Sequence, residues 1–412
     1  MKKQDTVAFE QIVSRGCGMD VHKEIVVVTI QGKGIKTMTK SFRTYTSSLI
    51  KLRDWLKKHK ITHIAIESTG VYWKPIYNVL GDDFEILLVN ARHVKNVPGH
   101  KTDKKDSKWL CKLLLSGLLK GSYIPDRKIR ELRDLTRYRK KLVQMISSEK
   151  NRFQKILEDA NIKLSVVLAD TFCKTGLKML DVIVNEKDYN PKQLLCMVHG
   201  RVKAKRKDIE EALTGYVTDH HRLMLKMLWT NMTRLETTLL EVDASIERAT
   251  TSLGIELDLL QQIPGVGKTG AIGIIAEIGT DMGQFPDHKH LASWAGMCPG
   301  SNQSAGKNKS GRITYGNKYL RSTLVELGWA ASRTKNTYFE SKYKSMVGRR
   351  GKKKTIIALG HKILIAAYHI IKEKVEFKEL GADHLNNFKR DKLVAYYKKQ
   401  LVNLGEDIVQ VA

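Results

Sequence analysis

Short runs of β-branched residues alternate with helical patterns over the first third of the chain. The stretch CGMDVHKEIVVVTI predicts a β-strand, and IKTMTKSFR alternates like its hairpin partner. Helical spacing follows at Leu49, Leu52 and Leu56. Further strands are predicted at THIAIES and FEILLVN, and further helices at VYWKPIYNVL and DSKWLCKLLLSGLL. Three early strands, a helix, and then alternating strands and helices are the element order of a ribonuclease H-like α/β fold.

The middle of the chain carries a heptad pattern. Apolar residues alternate steps of three and four over about four heptads, which predicts a coiled-coil seam; they are Leu225, Leu228, Met232, Leu235, Leu239, Val242, Ile246 and Ala249. Residues 127–160 are charged, with apolar residues at helical spacing. The seam packs either against residues 127–160 of the same chain or against a second copy of the chain in a dimer. The periodicity is compatible with both arrangements. Residues 161–222 have a weaker pattern and predict an insertion between the two helices.

A second globular unit is predicted from residue 255 onward, where glycine-rich segments alternate with short, mainly helical stretches. The predicted organisation is therefore an α/β domain at 14–125, a helical coiled-coil linker at 126–254, a mainly helical domain at 255–375 and a mixed-charge tail at 376–412.

The charge balance indicates a polyanionic partner. Lys and Arg number 72 against 43 acidic residues, which gives a net charge of +29. Such an excess destabilises a compact protein by self-repulsion, and nucleic acid relieves it. Between Ala305 and Lys354 there are fourteen Lys or Arg and two acids, with tyrosines interleaved. Membrane binding is not favoured, because no basic amphipathic terminus rich in Trp is present.

Neither cysteine spacing nor hydropathy indicates a zinc site or a membrane protein. The five cysteines form no CxxC pair, so we expect scattered buried thiols. The longest apolar run, TIIALGHKILIAAYHII, is interrupted by His361 and Lys362 and is too short to span a bilayer. The start of the chain lacks an apolar signal core. We expect a cytoplasmic protein.

Four carboxylates are candidate metal ligands. In a ribonuclease H-like sheet the first strand lies beside the fourth, which brings the strand residues Asp20 and Glu67 near each other. Asp103 and Asp106 are three residues apart and share one face of a helix that could pack next to them. Divalent cations resolve the repulsion of converging carboxylates and stabilise a phosphodiester under attack. The alternative is a solvated helix face on which lysines pair with the acids.

Two glycine-rich segments are candidate phosphate contacts. The segment QIPGVGKTG departs from a P-loop at Gln262, and it is more typical of a helix-hairpin-helix whose turn approaches a DNA backbone. An ordinary turn between helices is the alternative. The second segment places Ser301, Ser304 and Ser310 in a flexible cationic loop, where a serine is either a nucleophile or a turn residue. The predicted nucleic-acid contacts are Pro264, Gly265, Gly267, Lys268, Lys307, Lys309, Arg312, Lys318 and Arg321.

Together these blocks resemble the "one-ten" family of insertion-sequence transposases, the bridge-RNA-guided recombinases. The resemblance covers most of the chain and follows the order GMDVHKE, IESTGVYWKPI, KTDKKDSKWL, IPGVGKTGA, LASWAGMCPGSNQSAGK and GNKYLRSTLVE. It implies a domain like a Holliday-junction resolvase, a helical coiled-coil linker and a C-terminal transposase domain. It also implies that Mg2+ or Mn2+ binds the family's four acidic residues, here Asp20, Glu67, Asp103 and Asp106.

The resemblance further implies that Ser304 attacks DNA and forms a phosphoserine link. A noncoding guide RNA would pair with target and donor DNA, and dimers would assemble into a tetramer whose active sites combine acids and serine from different subunits. The chain departs from many members at Ala305, where they have glycine, which leaves Ser301 as the alternative nucleophile. A bacterial or archaeal, nucleoid-associated protein is expected.

Two other functions remain open at this point. A metal-dependent, Holliday-junction-type nuclease would need the four acids but no covalent serine intermediate. A non-catalytic protein that binds RNA or DNA would need only the positive charge.

Overall fold

A computed structural model describes most of the chain and divides it into two compact units, Met1–Ile124 and Pro125–Ala412. The described residues are 12–67, 70–89, 103–119, 121–200, 202–300, 302–304, 307–310 and 312–404. Within them, some side chains lie outside the description: those of residues 103–105, 302–304, 307–310, 386, 388, 389 and 391–393. The finer division into four segments stays a prediction.

The first unit is a five-stranded mixed sheet with helices. Its elements are β1 (Arg15–Val21), β2 (Ile25–Gly32), β3 (Ile35–Arg43), α1 (Thr46–Lys58), β4 (His63–Glu67), α2 (Trp73–Leu80), β5 (Glu85–Val89) and α3 (Asp103–Leu115). The strand order is β3-β2-β1-β4-β5. The first three strands are antiparallel neighbours, whereas β1, β4 and β5 are parallel. The predicted α/β class is confirmed.

One expected strand is in fact two. The stretch CGMDVHKEIVVVTI turns back on itself at His22–Glu24, where three consecutive polar residues are exposed. The His22 amide donates to the Ile25 carbonyl at 2.9 Å and closes the turn between β1 and β2. The interpretation of this stretch as one strand was wrong, because a polar turn of three residues is short enough to be mistaken for a polar break within one strand. The expected three strands before the first helix are confirmed.

Both faces of the sheet are covered. The side chains of Met19 and Ile66 belong to a core that also contains Leu49, Leu52 and Leu56 of α1. On the opposite face Ala65 packs with Leu114 of α3. The central strands are therefore buried on both sides, as is usual where parallel strands carry crossover helices.

The second unit is almost entirely helical. Its helices are α4 (Arg127–Asp159), α5 (Leu164–Val167), α6 (Lys174–Asn185), α7 (Pro191–Leu194), α8 (Arg206–Leu213), α9 (Asp219–Thr250), α10 (Gly254–Gln261), α11 (Lys268–Ile278), α12 (His288–Trp294), α13 (Lys318–Ala331), α14 (Tyr338–Arg350), α15 (Lys352–Glu373) and α16 (His384–Asn403). A hairpin of β6 (Asn302–Ser304) and β7 (Lys307–Ser310) interrupts them.

The two long helices α4 and α9 pack against each other in opposite directions. Their ion pairs join Arg139 to Asp243, and Lys150 to Glu236, so that later residues of α4 meet earlier residues of α9. Five of the eight predicted seam residues are buried: Leu225, Met232, Leu235, Val242 and Ile246. The seam therefore packs within the chain. Supercoiling of the pair stays a prediction, and Ala249 is exposed, contrary to the expected period.

The predicted insertion forms a helical head at one end of this pair. Helices α5 to α8 contribute residues such as Met179, Leu180 and Ile209 to a core that Phe153 of α4 and Leu225 of α9 complete. The weak sequence pattern reflects helices of 4 to 12 residues, which are too short to show a clear period.

Helix α15 alone among the described helices is long and apolar enough to cross a membrane. Over half of its most apolar window is buried within the protein, and residues such as Leu359, Ile363 and Tyr368 lie in the core. These features are those of a core helix.

The expectation of buried thiols is confirmed only in part. Cys17 and Cys111 are buried and Cys173 and Cys298 are partly buried, but Cys196 is exposed. All five are free cysteines.

Candidate functional site

The strand register sets two of the candidate acids beside each other. Strands β1 and β4 are parallel, and their pairing ends with Met19 opposite Ile66. Asp20 and Glu67 are each the next residue along the chain. Successive side chains of a strand point to opposite faces, so both carboxylates lie on the face opposite the Met19 core. Neighbouring strands are about 4.8 Å apart, which makes Asp20 and Glu67 adjacent.

Helix α3 covers this face and runs antiparallel to β1. A Cβ atom built on Gly16 would lie 3.1 Å from the Leu114 side chain, whereas one on Gly18 would lie 2.1 Å from the Ser107 carbonyl oxygen. The end of β1 that carries Asp20 therefore lies next to the first turn of α3. Asp106 is in that turn and is half-buried. Asp103 begins the helix, but its side chain lies outside the described residues.

A chain of three hydroxyl groups, two of them buried, anchors the start of α3 to the sheet. The Ser107 side chain is fully buried, and its Oγ lies 2.8 Å from Thr29 Oγ1 on β2. Thr29 Oγ1 in turn lies 2.9 Å from Thr39 Oγ1 on β3. Sequence reasoning missed these residues. The available signal was Thr29, a lone hydroxyl residue within the apolar run IVVVTI, together with a serine next to Asp106.

His22 contacts one of the acids directly. Its Nε2 lies 3.2 Å from Asp20 Oδ2, and half of the His22 side chain is exposed. This contact orients the Asp20 carboxylate at the end of β1. His22 was also missed, although it lies within the block GMDVHKE.

The donor atoms suit a hard divalent cation, which prefers carboxylate oxygens. Asp20 and Glu67 are adjacent by register, and Asp106 lies in the helix turn on the same face of the sheet. Among the side chains that the structure describes, however, no three His, Cys, Asp or Glu groups converge closely enough to hold a metal ion. Asp20, Glu67 and Asp106 therefore do not form such a group by themselves, and the side chain of Asp103 lies outside the described residues. The four-acid site stays a prediction.

Ser304 lies in a β-hairpin rather than in the flexible loop that was expected. Its backbone pairs with Lys307, and Asn302 pairs with Ser310. Below the hairpin, the Gly300 amide donates to the Arg312 carbonyl at 2.8 Å, so the two-stranded ladder continues. The loop prediction was wrong because β6 and β7 consist of polar residues and lack the apolar alternation that predicts a strand. Ser301, Ala305 and Gly306 lie outside the described residues, and so do the side chains of Ser304, Lys307 and Lys309.

The predicted helix-hairpin-helix segment joins α10 to α11. Gly265 in its turn has φ +85°, and a Cβ atom there would lie 2.3 Å from the Ala331 amide nitrogen. Close packing against α13 thus accounts for this glycine without any phosphate. Gly267 has open space around its α-carbon and precedes α11, whose first turn has no side-chain cap. Phosphate binding by Pro264, Gly265 and Gly267 stays a prediction.

The predicted basic contacts have different surroundings. Lys268 donates to Glu247 at 2.9 Å, and this hydrogen bond, followed by the lysine's charge, lowers the pKa of Glu247. Both side chains are largely exposed, so the pair is open to exchange with an anion. Lys318 lies 5.3 Å from the centre of the Tyr319 ring. Arg312 is exposed and Arg321 partly exposed near the hairpin.

Most aromatic residues of the basic region pack among themselves. The Trp329 ring lies 6.2 Å from that of Tyr343 and 5.7 Å from the Arg333 guanidinium. Tyr315, at the foot of the hairpin, is 84% exposed. It is therefore the aromatic residue best placed to stack on a base.

A buried acid near the hairpin was not predicted. Glu277 of α11 is 3% exposed and pairs with both nitrogens of the Arg137 fork at 2.8 Å. Partial burial lowers the pKa of Arg137, but the hydrogen bonds to Glu277 outweigh it and hold the pKa above its ordinary value. These residues, with Lys140, Lys268 and Tyr319, line a cavity of about 750 Å³ between α4, α9, α11 and α13.

Comparison with known proteins identifies relatives over most of the chain. One family model, described as a transposase (DEDD_Tnp_IS110), matches residues 17–162, and another, described as a transposase of the IS116/IS110/IS902 family, matches 257–344. The pilin gene-inverting protein of Moraxella lacunata is 24% identical over 350 residues, which cover 82% of this chain and 89% of the relative. The pilin gene-inverting protein of Moraxella bovis matches to the same extent. The first model spans the four acids, and the second spans Ser304 and the Gly265 turn.

Proposed function

Because the chain belongs to the IS110 family of transposases and is an enzyme that recombines DNA, we propose that it cleaves and exchanges DNA strands under RNA guidance with a serine nucleophile. The parallel register that sets Asp20 beside Glu67 is the observation that carries the chemical part of this proposal. Adjacent carboxylates on the face of a sheet, with a third on the covering helix, are suited to phosphoryl transfer.

The first unit is proposed to have a ribonuclease H-like fold. Its strand order, β3-β2-β1-β4-β5, with an antiparallel first half and a parallel second half, supports this assignment. In that arrangement β1 is central, and the ends of β1 and β4 present their side chains to one edge. The acids on these strands are Asp20 and Glu67.

Asp20, Glu67, Asp103 and Asp106 are the residues proposed to hold Mg2+ or Mn2+. The bound cation would supply positive charge at the phosphate. His22 holds the Asp20 carboxylate, and the Ser107–Thr29 hydrogen bond holds the turn that carries Asp106. These contacts reduce the reorganisation needed when DNA binds, because the carboxylates are held before it arrives.

Ser304 is proposed to attack the phosphodiester. Its oxygen forms a bond to phosphorus as it loses its proton, and the bond from phosphorus to the leaving strand breaks while the leaving oxygen takes up a proton. The product is a phosphoserine ester. Because one phosphodiester linkage replaces another, a hydroxyl of a different strand can reverse the step without an external energy source. Hydrolysis by water conserves no such linkage.

The partners proposed for the protein are DNA and a noncoding guide RNA. The net charge of +29 and the cationic segment around the hairpin support a polyanionic partner. RNA guidance, like assembly of dimers into a tetramer, is inferred from the family resemblance. Tyr315 is proposed as a stacking contact because it is exposed beside Arg312 and Lys318.

Trapping the covalent intermediate tests the nucleophile. The assay combines the protein, a labelled duplex carrying the element's end, RNA transcribed from the noncoding flank of the gene, and Mg2+. We expect a protein–DNA adduct that survives denaturation, and its loss together with cleavage in Ser304→Ala. Ser310→Ala changes another serine of the same hairpin and serves as the matched control, as does Ser301→Ala. Normal cleavage by Ser304→Ala would favour a hydrolytic junction nuclease instead.

Inversion is a second candidate outcome of the same chemistry. The Moraxella relatives are named for inverting a pilin gene, and the match covers 89% of each. Inversion, excision and insertion all require strands to be cut and joined to new partners. A plasmid carrying two element ends in inverted or direct orientation distinguishes them, because inverted ends yield a flipped segment and direct ends yield a circle.

A further inference from the structure

One buried carboxylate joins three segments of the second unit. Glu277 lies near the end of α11, where Arg137 of α4 forms two hydrogen bonds with its carboxylate. Arg133, one turn earlier on α4, donates to the carbonyl oxygens of Ala276 and Glu277 at 2.9 and 2.8 Å. The third segment is reached by Asn317, whose Nδ2 donates to Glu277 Oε2 at 2.5 Å.

Asn317 lies where the hairpin ends and α13 begins. Its Oδ1 accepts hydrogen bonds from the amides of Tyr319 and Leu320, so it caps α13 while its amide nitrogen binds Glu277. The residue before it, Gly316, is pressed against the other side of the hairpin base: a Cβ atom there would lie 2.2 Å from the Gly296 nitrogen. The segment that leads into α13 is thus held against Glu277 by Asn317 and against Gly296 by Gly316.

The arginine is held from a second side. The Arg137 guanidinium lies 4.3 Å from the centre of the Tyr319 ring, in the first turn of α13. Arg137 therefore contacts Glu277 of α11 and Tyr319 of α13 at the same time. A well-packed apolar cluster could stabilise this junction at least as well as a buried ion pair. Directional hydrogen bonds differ from an apolar cluster in that they specify one orientation of the segments.

We propose that Glu277 is a positioning residue for strand cleavage: with Arg137 it fixes Asn317, and through Asn317 it fixes the base of the hairpin that carries Ser304. This inference rests on the proposed role of Ser304 as the nucleophile. Glu277 itself does not contact DNA in this scheme. Its contribution is to hold the hairpin in the orientation in which Ser304 can react.

Asn317→Asp is the variant that tests the link most directly. Asp caps helices as well as Asn does, so α13 keeps its cap. The donor to Glu277 is replaced by a second carboxylate, so attraction becomes repulsion. The matched control is Asn190→Asp. Asn190 is the N-cap residue of α7, and its side chain accepts a hydrogen bond from the Lys192 amide. The control therefore makes the same change at a helix N-cap away from Glu277.

We expect Asn317→Asp to slow single-turnover cleavage roughly 10- to 100-fold at saturating DNA, because a small displacement of a reacting group has an effect of this size. The affinity for the duplex and the RNA should stay unchanged, since neither residue is proposed to touch them. Asn190→Asp should cleave at the wild-type rate. Asn317→Ser, which keeps a capping oxygen but loses the amide nitrogen that donates to Glu277, should show a smaller decrease.

A double variant tests whether the two residues act as a pair. In Glu277→Gln with Asn317→Asp the hydrogen bond can form with reversed polarity, and the net charge equals that of the wild type. We expect cleavage by the double variant to be faster than the product of the two single effects predicts. Equal or slower cleavage would mean that Glu277 does not act through Asn317.

The outcomes separate this inference from the proposed function. If Ser304→Ala is inactive but Asn317→Asp cleaves like Asn190→Asp, the positioning role is wrong and the nucleophile stands. If Asn317→Asp only lowers the melting temperature and its folded fraction cleaves at the wild-type rate, the network is structural alone. If Ser304→Ala cleaves normally, the nucleophile is wrong, and the positioning role falls with it.

Discussion

Gly18 of β1 and Ser107 of α3 approach so closely that a Cβ atom on Gly18 would lie 2.1 Å from the Ser107 carbonyl oxygen. Real Cβ atoms do not come this near to backbone, so only glycine allows α3 to lie at its present depth on the sheet. That depth sets how far the turn carrying Asp106 stands from the acids of β1 and β4.

Gly18→Ala should therefore impair catalysis without touching any acid. The added methyl group must push α3 outward, at a cost of about 1–3 kcal/mol in the free energy of unfolding. We expect strand cleavage to fall by at least roughly 10-fold, because Asp106 moves away from Asp20 and Glu67 together with α3. Gly254→Ala is the control, since its α-carbon faces open space. If a folded Gly18→Ala protein cleaves DNA at the wild-type rate, the depth of α3 on the sheet does not matter for catalysis.

The acids themselves can be neutralised without changing their size. Glu67→Gln and Asp106→Asn should abolish cleavage and leave the affinity for DNA unchanged or slightly higher, because each removes a negative charge near a phosphate. Asp82→Asn, at an exposed residue of the same unit, is the control for a lost charge. Cleavage and gel-shift assays in Mg2+ check both expectations. If both variants recombine DNA normally, the acids hold no catalytic metal.

The part of the site that could be predicted from the sequence depends on local pattern. Alternating and β-branched stretches predicted the strands, and the order of strands and helices implied that Asp20 and Glu67 would be neighbours. The register confirms that they follow an aligned pair. Helical spacing likewise predicted that Asp103 and Asp106 belong to one helix, which begins at Asp103.

The remaining contacts join residues far apart in the chain. Ser107 meets Thr29 across 78 residues, and Arg137 meets Glu277 across 140. Neither pair has a periodicity of its own. Glu277 in particular lies in the apolar stretch AIGIIAEIG, where a single acid is more often a solvent-facing residue of an amphipathic helix. Only the packing of α4 against α11 brings its partner near.

The lysines at the start of α15 offer a test of electrostatic binding. Lys352, Lys353 and Lys354 are exposed and occupy the first turn, where the helix dipole disfavours positive charge. Replacing all three with Ala should weaken DNA binding and reduce the salt slope by roughly 0.9 for each lost phosphate contact. Thermal stability should not fall. The triple Lys→Arg variant keeps the charge and should keep the slope; an unchanged slope in the Ala variant would show that these lysines do not contact phosphate.

Thiol reactivity should separate one exposed cysteine from two buried ones. Burial raises the pKa of Cys111 to about 12, and burial raises that of Cys17 well above its ordinary value. Both thiols therefore stay protonated and inaccessible at pH 8, whereas Cys196 is exposed. Iodoacetamide followed by mass spectrometry should label Cys196 in the native protein, and Cys17 and Cys111 only after denaturation. Rapid native labelling of Cys111 would mean that α3 separates readily from the sheet.

A charge introduced into the predicted seam should destabilise the packing of α4 against α9. Leu235 belongs to the predicted seam and is 9% exposed, whereas Leu240 on the same helix is 70% exposed. Leu235→Asp would bury a charge without a partner and should destabilise the second unit by on the order of 3–5 kcal/mol. Leu240→Asp makes the same chemical change at the surface and should leave the melting temperature nearly unchanged. Light scattering, run beside the melting curves, distinguishes folding from assembly. A Leu235→Asp protein with the wild-type melting temperature but a smaller mass would show that Leu235 packs against another copy of the chain rather than against α4.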